Sequence, residues 1–342
     1  MRGRELSVLT AVGLIAGLIA SCRGYADFTL PVLPQTGRAV SYDWNVYPEP
    51  VLGREAAGWD STDALNPSVV EAGGQLYNFY SGYDGKVWST GLATSIDGLH
   101  WTKKGRVLAP DPATWEGDYI AANGTAARVG DEFFYWYQAN RSPRIGLAKS
   151  KDGLAWTKLP EPVLGTGPRG SWDERAAADP YVIRIGETFY MYYLGEDRAR
   201  RQRLGVARST DGVTWQKSRA NPILELGNAG AFDEIGLGEP AVWKSENSYW
   251  MLYTGRDRAE VRRLGLARSQ DGVHWGRVSE NAALAGGETW NSKTLCDPAV
   301  RVVDGDVQLW FGGGDVPHPV ENVHGQIGFA ILKLSVAGTL PK

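Results

Sequence analysis

Five polar residues recur at nearly constant spacing and are the first candidates for chemistry: Asn66, Asn123, Asp179, Glu239 and Asp297, separated by 57, 56, 60 and 58 residues. Carboxylates gathered into one ring raise one another's pKa. One of them can then donate a proton beside another that stays ionised, the division of labour that glycoside cleavage requires. A lone polar side chain at such a place serves neighbouring backbone donors equally well. It is the three acids together, Asp179, Glu239 and Asp297, that point to chemistry.

These residues meet only if the chain repeats in space, and it repeats in sequence. Asp97-Gly98-Leu99-His100-Trp101 returns as Asp152-Gly153-Leu154-Ala155-Trp156, Asp211-Gly212-Val213-Thr214-Trp215 and Asp271-Gly272-Val273-His274-Trp275. Each copy follows a Gly-apolar-Ala run ending in Ser, and reads as strand, Asp-Gly turn, strand. A second hairpin lies upstream, with first strands at 67–71, 125–129, 180–185, 240–244 and 298–303 and aromatic second strands such as Phe189-Tyr190-Met191-Tyr192-Tyr193. An aromatic-acidic pair opens each unit: Trp59-Asp60, Trp115-Glu116, Trp172-Asp173, Phe232-Asp233, and Trp290 with Asn291 in the acid's place.

Four strands per unit, repeated five times, predict an all-β, five-bladed β-propeller with four-stranded blades. The fifth unit lacks its Asp-Gly-x-x-Trp. Asp43-Trp44 followed by residues 48–52 matches Trp156 followed by 160–164, so the N-terminal strand is expected to close the last blade and remove an open edge. Strands alternate up and down within a blade, which puts the five ring residues and the loops between second and third strands on one face. Trp101, Trp156, Trp215 and Trp275 are expected to pack between blades. The periodic Trp59, Trp115, Trp172 and Trp290 also read as packing before sugar stacking.

The 36 Lys+Arg against 39 Asp+Glu give a net charge of -3, which offers a nucleic-acid backbone no attraction. Arg2 and Arg4 precede an apolar stretch at 6–20, the length of a signal-peptide core and short for a membrane span. Ile19-Ala20-Ser21-Cys22 then resembles a bacterial lipobox. The expected organisation is a lipoprotein-type signal peptide over 1–21, a tether over 22–38 and one propeller domain over 39–342. Lipidation at Cys22 would make the membrane a partner of an exported monomer, either a cell-envelope lipoprotein or a periplasmic or secreted protein. Cys296 is left without a disulfide partner and reads as a small buried hydrophobe. No cofactor is expected; no tight metal-ligand spacing stands out, and a structural calcium is not indicated.

Blades that open on Asp-Pro or Glu-Pro and close on Ser-x-Asp-Gly-x-x-Trp resemble the five-bladed propeller glycoside hydrolases of families 43, 32, 62 and 68, from residue 40 to about 335. A more distant similarity is to the family 130 mannoside phosphorylases. The resemblance implies an Asp base or nucleophile on blade one, an Asp that tunes the acid on blade three, and a Glu acid on blade four. Asp179 then takes the second role and Glu239 the third. Blade one departs from the pattern, because Asn66 is neither base nor nucleophile. Asp63 or Asp60, in the same connection, is the substitute; Asp60 has acidic counterparts in three other units and reads as structural, which leaves Asp63.

The expected activity is hydrolysis of an extracellular oligo- or polysaccharide in the central funnel by Glu239, Asp179 and Asp63, with Asn66, Asn123, Asp297 and Asp60 against the sugar. Two alternatives stand beside it. One is a carbohydrate-binding propeller without turnover, and the other is a phosphorylase whose phosphate is held by the arginine-rich loops at 196–203 and 256–263, joined by Arg141 and Arg144. Arg175, Arg198 and Arg258 are the candidates for a uronate, sulfate or phosphate, unless Asp197-Arg198 and Asp257-Arg258 pair among themselves on the rim. His318 and His324 are candidates for sugar hydroxyls or phosphate.

Overall fold

One local device builds the repeats. In the third, Ser209 Oγ accepts the N–H groups of Asp211 (3.2 Å) and Gly212 (2.9 Å), while Asp211 Oδ1 accepts those of Val213 (2.8 Å) and Thr214 (2.7 Å). The Trp215 indole donates to the Gly212 carbonyl at 3.1 Å. Gly212 has φ 73°, a conformation that a β-carbon would strain. The same bonds recur at 95–101, 150–156 and 269–275, so the motif is a turn with all its donors satisfied.

The computed structural model describes residues 24–34, 39–245, 247–319 and 321–336; the expected signal peptide and Cys22 lie outside them. The architecture is all-β and propeller-type, a succession of antiparallel meanders. The first runs through Asp63–Leu65, Val69–Ala72, Gln75–Tyr83, Trp88–Ser95 and Thr102–Leu108; the second through Ile120–Val129, Glu132–Ala139, Arg144–Ser150 and Thr157–Lys158. The third comprises Ala176–Ile185, Thr188–Glu196, Gln202–Ser209 and Gln216–Ser218, and the fourth Gly236–Ser245, Ser248–Arg256, Arg262–Ser269 and Gly276–Arg277. The last comprises Thr294–Val303, Asp306–Gly314 and Gln326–Val336, and Val40–Val46 pairs antiparallel with Gln326–Val336 as its outer strand. The N-terminal strand therefore docks where the sequence predicts.

The aromatic-acidic pairs tie the strands of each meander together. Asp173 Oδ2 accepts the Tyr193 hydroxyl of the second strand (3.1 Å) and Lys217 Nζ of the fourth (2.5 Å). Glu116 does the same with Tyr137 and Lys158, and Asp233 with Tyr253 and Arg277. Asp60 belongs to this series, buried between the Tyr80 hydroxyl (2.9 Å) and Lys103 Nζ (2.7 Å), so its expected place against substrate is corrected to a structural tie. A buried carboxylate is tolerated here because hydroxyl and cation meet it together. The preceding ring lies on glycines; a β-carbon on Gly195 or Gly205 would stand 2.2 or 2.5 Å from Trp172.

Trp101, Trp156, Trp215 and Trp275 meet Trp310, Phe79, Trp136 and Tyr192 of the neighbouring repeat edge to face, with centroids 5.3 to 6.3 Å apart. One seam carries an extra part. Residues 24–34, expected as tether, are docked: Tyr25–Ala26 pairs parallel with the outer strand of the third meander, and Leu30, 1% exposed, lies over Gly272 with its N–H on the Asp271 carbonyl at 2.8 Å.

Candidate active site

The ring residues lie inside the innermost strands, not ahead of them. Asn66, Asn123, Asp179, Glu239 and Asp297 all have φ between 44° and 53°. Each sits at a break in the ladder: between Ala122 and Thr125, Ala178 and Tyr181, Gly238 and Ala241, Cys296 and Ala299, and in the first repeat between Leu65 and Val69. A bulge re-aims its side chain and frees the next residue from the ladder, which is why proline can follow four of them. A left-handed non-glycine residue costs on the order of 1–3 kcal/mol. Five at one level mark a place where side-chain direction matters.

That level is a constriction. All five line a front cavity of about 760 Å³ and also a rear channel of about 100 Å³, so they form the floor of the first and the roof of the second. The mouth expected for them lies above, formed by the loops.

The floor crowds three carboxyl groups. Burial pushes Asp179 well above the usual carboxylate range, and the charges of Glu239 and Asp297 push it further, against a hydrogen bond from Asn123 Nδ2 (3.3 Å) and the field of Arg262. Asp297 is pushed up to about 7 by burial and by Glu239. Its Oδ2 accepts both the Asn66 N–H (3.3 Å) and the Cys296 thiol (3.0 Å), so Cys296 is buried but also a donor to the site. Glu239 Oε2 is buried without a hydrogen-bond partner among the described residues.

Asp63 is corrected. It is fully buried, and its oxygens accept the N–H groups of Asn322 (2.7 Å), Val323 (3.1 Å) and Gly325 (2.7 Å). It latches the last repeat to the first and does not line the cavity where water and substrate would meet.

The arginines sort into two sets. Arg198 and Arg258 stand on the rim, 68% and 75% exposed, paired with Glu174 (3.0 Å) and Glu234 (3.1 Å). Arg175 lines the cavity, with Nε 2.9 Å from Glu196. His324 pairs with Asp315 at 2.7 Å on the surface, and His318 offers its carbonyl to Arg262 at 2.9 Å. Sequence reasoning passed over Arg200, Arg256 and Arg262 as individual site residues, along with Tyr119; all four line the cavity. A signal existed. The loops of repeats three and four are near copies, and Arg256 and Arg262 fall where the other copy has Glu196 and Gln202.

A propeller-type fold whose inner strands aim acids into one cavity is the architecture of the propeller glycoside hydrolases and phosphorylases, and the resemblance read from the repeats is borne out. Residues 119–217 match the family described as beta-1,4-mannooligosaccharide phosphorylase, and residues 186–297 match the glycosyl hydrolases family 32 N-terminal domain. Among curated proteins, the chain is 26% identical over 234 residues to Mycobacterium tuberculosis "Uncharacterized protein Rv1502" (strain ATCC 25618 / H37Rv), covering 62% of this chain and 75% of that one. Among solved structures it is similar to a glycoside hydrolase (TM-score 0.68, 17% identity, 97% of this chain and 99% of that one). It is also similar to the beta-1,2-mannobiose phosphorylase of Listeria innocua (TM-score 0.68, 12% identity, 85% and 97%) and to Zg3597, a family 117 glycoside hydrolase of Zobellia galactanivorans (TM-score 0.65, 17% identity, 90% and 94%). At these identities the likeness is one of fold.

Proposed function

We propose that the chain is a five-bladed propeller of four-stranded blades that cleaves glycosidic bonds of an oligo- or polysaccharide at the floor of the front cavity. The observation that carries this reading is the trio Asp179, Glu239 and Asp297, set by the same strained bulge on three consecutive repeats. Asp179 is pushed well up by burial and by its acidic neighbours, the direction that suits a proton donor. It protonates the leaving glycosidic oxygen as the bond from that oxygen to the anomeric carbon breaks. Glu239, with one oxygen free of partners among the described residues, takes the proton of the water that bonds to the same carbon. The resemblance instead implied Glu239 as the acid and Asp179 as the residue that tunes it, so both roles differ from that expectation.

The test compares Asp179→Asn and Glu239→Gln on a natural oligosaccharide and on an aryl glycoside with an activated leaving group. Asp179→Asn should lose about 10²-fold or more on the first and far less on the second. Glu239→Gln should lose on both. The opposite pattern returns the acid role to Glu239, and ligand binding without turnover by the unaltered chain makes it a binding propeller.

A second reading is favoured by the match of 119–217 to the mannooligosaccharide phosphorylases. Inorganic phosphate would then replace water, and product formation would depend on phosphate.

The protein is also proposed to be exported as a monomer and anchored by lipid at Cys22. The lipobox-like 19–22 supports this, and mass spectrometry of the envelope-extracted N-terminal peptide tests it.

A further inference from the structure

The front cavity carries more guanidinium groups than the protein neutralises. Arg175 meets Glu196, and Arg256 meets Glu260 at 3.2 Å. Arg262 is buried near the floor and donates to the carbonyls of His318 and Pro319. Arg144 and Arg200 differ from all of these. Both are exposed, both line the cavity, and neither side chain has a hydrogen bond or ion pair among the described residues. The other arginines of the same loops each have an acidic partner: Arg198 in Glu174, Arg201 and Arg203 in Asp197, Arg258 in Glu234 and Arg263 in Asp257. Of the arginines that line the cavity, Arg141 also has a partner, Asp118 at 3.4 Å, which leaves Arg144 and Arg200 as the two with unspent donors among the described residues.

Their placement is fixed without an ion pair. Arg144 opens the third strand of its meander, at the seam where the Ala177 N–H donates to the Pro143 carbonyl at 3.0 Å. Arg200 occupies the tip of the next repeat's loop with φ 62°, its N–H on the Asp197 carbonyl at 2.9 Å. Two guanidinium groups on adjacent repeats thus stand over one cavity with their donors unspent. The planar fork of arginine matches a carboxylate or sulfate through paired N–H bonds. That attraction grows as a bound ligand excludes water.

We infer that Arg144 and Arg200 hold an oxyanion carried by the sugar itself, a uronate carboxylate or a sulfate ester, at the rim of the cavity. The inference rests on the proposal that the cavity takes carbohydrate. The two residues are exposed among the loops above the cavity, whereas Asp179, Glu239 and Asp297 lie at its floor, where the front cavity meets the rear channel. An anion serving as nucleophile must reach the anomeric carbon at the floor. An anion at the rim instead belongs to a sugar unit, fixing which way the substrate enters.

The experiment is calorimetric binding of galacturonate, glucuronate and sulfated-hexose oligosaccharides, each against its carboxyl-reduced or desulfated form, to the chain and to an Arg144→Gln, Arg200→Gln double variant. At least one acidic oligosaccharide should bind about tenfold tighter than its neutral form, the advantage shrinking with added salt. The double variant should lose that advantage with its melting temperature unchanged, because neither side chain has a partner among the described residues. Equal affinity for both forms, no binding of any acidic form, or a preference that survives in the double variant overturns the inference. So does inorganic phosphate that stimulates cleavage of a neutral glycoside by the unaltered chain but not by the variant, since the anion is then phosphate. The readout is binding, so an acidic preference would persist even if the cleavage reading failed.

Discussion

The backbone N–H of Asn66 donates to Asp297 Oδ2 at 3.3 Å, joining residues 231 positions apart across the seam between the first and last repeats. The residue that breaks the expected acid pattern thus still serves the ring, through its main chain. It also brings the two ends of the repeat array together at the level where the carboxyl groups crowd.

The crowding should be measurable as stability. Asp297 is raised from an ordinary 3.8 to about 7, so between those values the folded chain holds a proton that the unfolded chain has released. Its contribution is therefore complete below about pH 4 and lost as pH rises through about 7, a fall on the order of a few kcal/mol. Denaturant unfolding at pH 5 and pH 8 should show the loss, and Asp297→Asn should flatten the slope. An equal slope in the variant removes Asp297 as its source.

Asn66→Asp keeps the main-chain donor and adds a fourth carboxyl group to the ring. Like charges at that spacing should raise the Asp297 titration by about one unit or more, read from its carboxyl carbon shift. An unmoved titration would mean that the position-66 side chain does not face the ring.

For Asp63 the structure predicts lost stability and no special chemistry. Asp63→Ala leaves three N–H groups without their acceptor, two of them buried, and should cost about 2 kcal/mol or more by urea denaturation. A variant of unaltered stability with abolished turnover would restore Asp63 as a base.

The tie at Asp173 should be among the most costly to cut. Asp173→Ala strands Lys217, which is 5% exposed and whose pKa burial already lowers, at about 3–5 kcal/mol. Converting Asp173 and Lys217 together to apolar residues should recover part of that loss, and no recovery would argue against an unpaired charge as the cause.

Much of the fold was legible because its parts are local and repeated. Ser-x-Asp-Gly-x-x-Trp satisfies its own donors within seven residues, so each copy announces a turn. The match between Asp43-Trp44 and the repeat's outer strand exposed the docking of the N-terminal strand. Asp60 was legible for the same reason, as one of four periodic acids. Docking of 24–34 was not, since Leu30 fills a gap beside Tyr192 where another repeat places the larger Trp136.

In the loops above the ring the rule inverts: what repeats is spent on pairing within the loops, and what breaks the repeat faces the cavity. Asp197, Arg198 and Arg203 have counterparts in Asp257, Arg258 and Arg263, and both sets spend their charge on one another or on neighbouring acids. Arg256 and Arg262 have no such counterparts, and they face the cavity. By itself the sequence determined which residues share a ring and which share a rim, because periodicity along the chain becomes rotation about an axis. Whether Asp63 was a base or a latch, which arginines were spent, and how far Asp179 and Asp297 rise depended on burial and on groups brought from hundreds of residues away. Only the tertiary structure supplies those, since hydrogen bonds and electrostatic fields act through space rather than along the chain.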